Sequence, residues 1–319
     1  MAAIATDGPV GTPGLGARIY AKLSSIPTWV LWILVAIWTL PSFSLVVNSF
    51  RARSDQRTGG FWEVTGDPGQ LTLENYERVF DRSGVDSLFD SLISSFAIAI
   101  PATIIPIAFA TFAAYGFAWI DFKGREWLFI GTISLLAIPL QVALIPLLTT
   151  YVGGAHFSIP WTGRTLTLIP DLDLNTRGSI AVWLTHTGFA MPFSIFLLHN
   201  YITELPKEIF ESARLDGANH FTVFWRIVLP LSVPALAAFA IFQFLWTWND
   251  FLIAVTMLSG GNPIDLPTTV KIANLAGDFG RNEHLLPAGA FVQAFVPLVV
   301  FFSLQRYFVR GLLAGSVKG

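Results

Sequence analysis

The chain has 319 residues, of which 53% are hydrophobic and only 13% charged. Soluble domains carry about 25% charge, so a fold wetted on all sides is excluded. The net charge of −2 offers no basic surface for nucleic acid, and the absence of cysteine removes disulfides and thiolate metal sites.

In chain order, residues 1–26 mix proline, glycine and small polar residues around Arg18 and Lys22. They lack a signal-peptide pattern and read as a cytoplasmic tail leading into an uncleaved signal-anchor helix. Six runs then carry no Asp, Glu, Lys or Arg: Leu23–Phe50, Ser91–Ile120, Trp127–Gly163, Gly178–Thr203, Ile227–Asn249 and Leu285–Gln305. Each meets the roughly 20 residues that a helix needs to cross a bilayer core. The predicted spans are Thr28–Phe50, Leu92–Trp119, Trp127–Thr149, Ile180–Tyr201, Ser232–Leu258 and Pro287–Phe308.

The expected fold is therefore all-α and integral to the membrane. Its six-helix domain covers 27–309, and 310–319 forms a second cytoplasmic tail. The two tails and the linkers Asp121–Glu126 and Glu204–Arg226 hold a bare majority of the 19 basic residues, which sets that side inward. Pro101, Pro106, Pro139, Pro146, Pro192 and Pro297 fall within spans. Each removes a backbone bond and should kink its helix, and a neighbour or a wet cavity must satisfy the freed carbonyl.

The linker before the fifth span is the most informative segment. Pro206 suits a first helical position, and residues to Asp216 form a short helix with Ile209, Phe210, Ala213 and Leu215 available for burial. Gly217 can adopt the left-handed conformation that closes a helix, and Asn219 can cap a second one leading through Phe221, Phe224, Trp225 and Val228 to Pro230. Small Ser212 and Ala213 let another surface approach, and Glu211 offers it a charge. Such a helix–glycine–helix unit is a docking element, or an amphipathic hairpin lying on headgroups.

In span five, Gln243, Trp246 and Asp250 share a face by their spacing of three and four, with Asn249 adjacent. Aromatic faces, amides and a carboxylate can line a polar ligand site within an apolar wall, which makes these four the candidates for a site inside the membrane. Asp250 is the lone acid within a predicted span and a functional candidate by default. It could equally lie at the outer interface or pair with a basic partner residue. Lys271, Asp278 and Arg281 stand in the loop Ser259–Leu286, which by its own composition reads as a solvated turn. The five histidines show no metal spacing, and neither a phosphate-binding glycine loop nor a nucleophile motif occurs.

The segment Glu211-Ser212-Ala213, Gly217, Ile227 and Leu229-Pro230 resembles the EAA loop of the membrane subunits of bacterial ABC importers. Ser212 departs from the alanine usual there. The resemblance implies that residues 203–230 dock on a cytosolic ATPase through Glu211, Ser212, Ala213, Asp216, Gly217, Ala218, Ile227, Leu229 and Pro230, with Glu211 as charge contact and Gly217 as elbow. The end of the chain, from Gln305-Arg306-Tyr307-Phe308 onward, is similar to the tail of the maltose-type second sugar permease. It implies contacts of Gly315, Ser316, Val317 and Lys318 with the ATPase dimer. His186-Thr187-Gly188-Phe189 and Phe244-Leu245-Trp246-Thr247-Trp248-Asn249-Asp250 look similar to members assigned to α-glucosides.

The expected protein is thus a non-catalytic permease in the bacterial plasma membrane, with both termini cytoplasmic, moving a sugar by alternating access. Its expected partners are a second, non-identical permease, a cytosolic ATPase dimer that holds ATP and Mg, an extracytoplasmic sugar-binding protein and membrane lipid. An ion-gradient carrier is the alternative, and it needs titratable groups inside the membrane. No paired repeat of broken helices, the mark of many such carriers, is visible.

Overall fold

Residues 27–84, 87–258, 266–276 and 282–314 are described by the computed structural model. Five helices are long and apolar enough to cross a membrane: α1 (Thr28–Ser49), α4 (Phe89–Trp119), α7 (Leu174–Thr203), α10 (Leu229–Trp248) with the turns before it, and α13 (Leu286–Ala314). A sixth candidate among the described residues is a bent pair of helices. The short helices α2 (Arg53–Thr58) and α3 (Glu74–Phe80) lie between α1 and α4.

The centre of the bundle is α4 packed along α7, with α10 against α4 and α13. The buried face of α4 carries Ala99, Ala102, Ala110 and Ala114, all 0–1% exposed, together with Ser95, Thr103 and Thr111. Lipid tails are as apolar as leucine, so helices associate in a bilayer by close backbone approach, which small residues permit. α1 is the outlier. Only Ser49 of its 22 residues is buried, and it packs on α13 with Trp32 and Trp38 facing outward.

Prolines dictate much of the lateral bonding. Pro101 has no N–H for the carbonyl of Ala97, and Trp183 Nε1 of α7 donates to that oxygen at 3.1 Å. Pro106 likewise frees the carbonyl of Ala102, which accepts from Gln243 Nε2 of α10 at 3.2 Å. Pro297 frees Gln293, whose carbonyl accepts from Trp248 Nε1 at 3.0 Å, while Gln293 Nε2 donates to the Trp248 carbonyl at 2.9 Å. In lipid an unmet backbone group costs several kcal/mol, so each of these three prolines creates a site that a neighbouring helix fills.

Three features differ from the sequence expectation. The third span is not one helix over Trp127–Thr149. It is α5 (Arg125–Ser134) with a 3-10 turn to Ala137, meeting α6 (Leu140–Gly153) at 101°. Proline disfavours a helical residue before it, and Ile138 is accordingly extended at ψ 115°. The fifth span does not run unbroken to Leu258. It stops at Trp248 and resumes as α11 (Leu252–Met257). The fold is also not purely helical. An antiparallel hairpin of β1 (Ala155–Ser158) and β2 (Thr165–Ile169) joins α6 to α7. Helix α12 (Thr268–Ala276) and a 3-10 turn at Glu283–Leu285 precede α13.

The segment after α1 is tied to one buried arginine. Arg51, 0% exposed, donates from Nε to Gln70 Oε1, from Nη1 to Asn48 Oδ1 and the Gly59 carbonyl, and from Nη2 to the Asp55 carbonyl. Glu63 lies 3.7 Å away. Gln56 Nε2 extends the network to the carbonyl of His284, just before α13.

Candidate functional site

The elbow follows α7 directly. Helix α8 (Lys207–Leu215) starts after Pro206, which occupies the capping position rather than the first turn. Gly217 takes φ +79°, and the Ala218 N–H closes on the Ala213 carbonyl at 2.9 Å. Asn219 Oδ1 accepts from the Thr222 N–H at 2.9 Å and starts α9 (His220–Val223). A five-residue π-helical stretch, Phe224–Val228, carries the chain without a break into α10.

Helix α8 has two unlike faces. Phe210 and Ala213 are buried, with Phe210 stacked on Trp119 at 3.8 Å between ring centroids. Trp119 Nε1 donates to the Ile202 carbonyl, and Tyr115 Oη lies 2.9 Å from His220 Nδ1. These contacts fix the elbow to the C-terminal ends of α4 and α7, in a cluster with Val223, Phe224 and Val228. The opposite face is open. Glu211, Ser212, Asp216 and Gly217 are exposed, and the Glu211 carboxylate is unpaired among the described residues. The smallness of Ala213 therefore serves inward packing, whereas Ser212 is on the outward face. Ala218, Ile227 and Leu229 are half-buried and Pro230 is exposed.

Leu215, expected among the buried residues, is 89% exposed, and Phe221 is 72% exposed. Ile209 is also largely on the open side at 38%. An exposed leucine at the tip of an anchored helix is an apolar knob beside the exposed Glu211 carboxylate, and it was legible only as a hydrophobic position. Among the described residues, no atom beyond its chain neighbours comes within 4 Å of where a Gly217 side chain would begin, so the cost of replacing it comes from the backbone. Gly217→Val is expected to destabilise the turn by about 1–2 kcal/mol, and Gly217→Asn by little. Amide exchange at 217–219 should quicken in the first variant only.

The four span-five candidates do not share one surface. Gln243 is 1% exposed and spent on the Ala102 carbonyl, because the proline of α4 draws it inward. Asn249 is exposed and bonds the Leu245 carbonyl. Asp250 lies in the break, where Oδ1 and Oδ2 accept from the N–H groups of Ile253 and Ala254 at 3.4 and 3.0 Å. It caps α11. His186 of α7, fully buried, sets Nε2 3.6 Å from Asp250 Oδ2.

Trp246 alone of the four lines a large cavity, of about 510 Å³. The walls are mostly apolar and come from the bent third span, α7 and α10, including Leu136, Leu147, Tyr151 and Phe189. The Trp246 and His186 rings meet edge to face, their centroids 5.6 Å apart. The cavity thus offers an aromatic plane, two hydroxyls from Tyr151 and Thr185, and little else that is polar. Gly315, Ser316, Val317 and Lys318 lie outside the described residues, as do Asp278 and Arg281 and the tail 1–26. Lys271 is on α12. Among the described residues no cluster of three His, Asp or Glu could hold a metal.

A family model described as the inner membrane component of binding-protein-dependent transport systems matches residues 107–314, which include the elbow, the cavity and the break. The osmoprotective compounds uptake permease GgtD of Synechocystis sp. is 47% identical over 286 residues, 88% of each chain. The α-glucoside transport system permease AglG of Rhizobium meliloti is 48% identical over 279 residues, 85% of this chain and 68% of that one. The arabinooligosaccharides permease AraQ of Halalkalibacterium halodurans is 31% identical over 93% of this chain and 99% of that one. In fold, the chain is similar to a bacterial ABC transporter for alginate import, with a TM-score of 0.66, 18% identity and coverage of 93% and 99%.

Proposed function

Because the chain belongs to the family of inner membrane components of binding-protein-dependent transport systems, we propose that it carries an α-glucoside inward, driven by a partner ATPase. The observation that carries this reading is the two-faced elbow. One side of α8 is locked to α4 and α7 through Phe210 and Ala213, and the other presents Glu211, unpaired among the described residues, and exposed Leu215. A protein gripping the open side would move both helices together.

In this reading residues 203–230 form the coupling unit within a transmembrane domain of 27–309. The tails 1–26 and 310–319 are cytoplasmic, in a plasma membrane, and Gly315–Lys318 reach the ATPase dimer. ATP and Mg reside on that dimer, and this chain does no covalent chemistry. A second, non-identical permease completes the pathway and an extracytoplasmic sugar-binding protein delivers the cargo. The α-glucoside assignment is supported by the relative of that name and by Trp246, an aromatic plane of the kind on which sugars stack.

Reconstituting the chain with a candidate permease, ATPase and binding protein in proteoliposomes tests the proposal. The expected result is α-glucoside uptake that requires ATP and the binding protein, is blocked by vanadate and ignores ionophores. The buried His186–Asp250 pair is the arrangement that would suit a proton-coupled carrier. Uptake that survives without ATP and collapses with an ionophore would replace one reading by the other.

A further inference from the structure

The hairpin of β1 and β2 has sides of opposite character. The register pairs Phe157 with Leu166, His156 with Thr167 and Ser158 with Thr165. Directly opposed residues share a side and alternate residues swap sides. One side therefore carries Phe157, Ile159, Leu166 and Leu168, and the other His156, Ser158, Thr165 and Thr167. All eight are exposed in the isolated chain. The His156 ring bonds Thr167 Oγ1 across the polar side at 3.2 Å. At the tip, Trp161 is fully exposed at φ +63°, and Arg164 is the turn's single permanent charge.

An isolated two-stranded ribbon is marginal in water and needs its apolar side covered to stay folded. The cover must be permanent, which a carrier protein that docks and leaves is not. The surrounding surface indicates what it is. Val142, Ile145 and Val152 of α6, which runs into β1, are 55–67% exposed and belong to the apolar belt that the spans present to lipid. The hairpin prolongs that belt at the end of the bundle opposite the elbow, α7 leading from one to the other. A tryptophan beside an arginine at such a boundary is the composition of an interfacial anchor.

We propose that residues 155–169 lie flat in the lipid interface, with Phe157, Ile159, Leu166 and Leu168 on the acyl side, Trp161 at the glycerol level and Arg164 reaching for headgroup phosphate. The hairpin then acts as a float for the bent third span. It holds the α6 end of the cavity wall at a fixed depth while the elbow end moves.

The absence of cysteine makes the test direct. Phe157→Cys and Thr167→Cys, each carrying an environment-sensitive fluorophore, are compared in the assembled transporter with cysteine-depleted partners in nanodiscs. The label at 157 should be quenched by a lipid nitroxide near the glycerol, and its quenching by aqueous iodide should fall to about a third or less of that at 167. Leu168→Cys repeats the apolar-side measurement should the first variant assemble poorly. Equal iodide quenching on both sides overturns the proposal. So does shielding at 157 that appears only on adding the sugar-binding protein, or shielding without nitroxide quenching, which would mean a protein cover.

Discussion

Glu211→Lys is expected to reduce ATP-driven uptake to about a hundredth or less while the variant still inserts in the membrane. Reversing a charge opposite a basic partner group costs about 3 kcal/mol or more, roughly 100-fold in affinity. Nothing within the chain should compensate, because the carboxylate has no partner among the described residues and its helix is held by the buried face alone. The packing of Phe210 on Trp119 is untouched by the change, so thermal stability of the isolated chain should stay level. Loss of ATPase co-purification alongside unchanged stability is the signature sought. Full uptake with normal ATPase co-purification would remove Glu211 from the docking surface.

Arg51→Ala should be the most damaging single change to the region after the first span. The guanidinium meets two side-chain oxygens and two carbonyls, at 2.8–3.2 Å, from a position with no solvent access. Removing it strands several of those acceptors and leaves a cavity. A loss of about 3 kcal/mol follows, equivalent to roughly 100-fold faster amide exchange across 51–72 where exchange runs through this opening. Lysine should not rescue the variant, since it cannot present a planar fork to four acceptors. Wild-type exchange rates in Arg51→Ala would mean that the network is decoration on a loop held by its backbone, such as the Thr72 N–H to Phe50 carbonyl bond.

The sequence exposed those features whose chemistry is local. Gly217 and Asn219 could be assigned because a left-handed turn and a helix cap each depend on a few adjacent atoms. Features set by helix rotation were hidden. That Gln243 faces α4 rather than the cavity follows from Pro106, more than 130 residues away, and no spacing within span five reveals it. Prolines themselves were visible, yet their outcomes differ for a reason outside the local sequence. At Pro101 an indole from α7 takes the freed carbonyl and the helix continues. At Pro139 the freed Leu135 carbonyl accepts from the Ile138 N–H, three residues on, and that tightened turn leads into the 101° bend. Leu215 shows the limit of hydrophobicity as a guide, being apolar yet open. The hairpin was the avoidable miss. Thr165-Leu166-Thr167-Leu168 alternates with period two, a short strand signal between Arg164 and Asp171 just past the third uncharged run.

The borrowed carbonyls of Ala97, Ala102 and Gln293 have an evolutionary corollary. A lineage that exchanged Pro101 for alanine would make a helical N–H compete with the Trp183 indole for the Ala97 oxygen, whereas losing the indole first would orphan the carbonyl. Neither intermediate is neutral, so each proline and its donor form an epistatic couple that tends to drift together or not at all. Three such couples cross-lock four helices, so ancestry in this bundle is constrained less at single sites than between them.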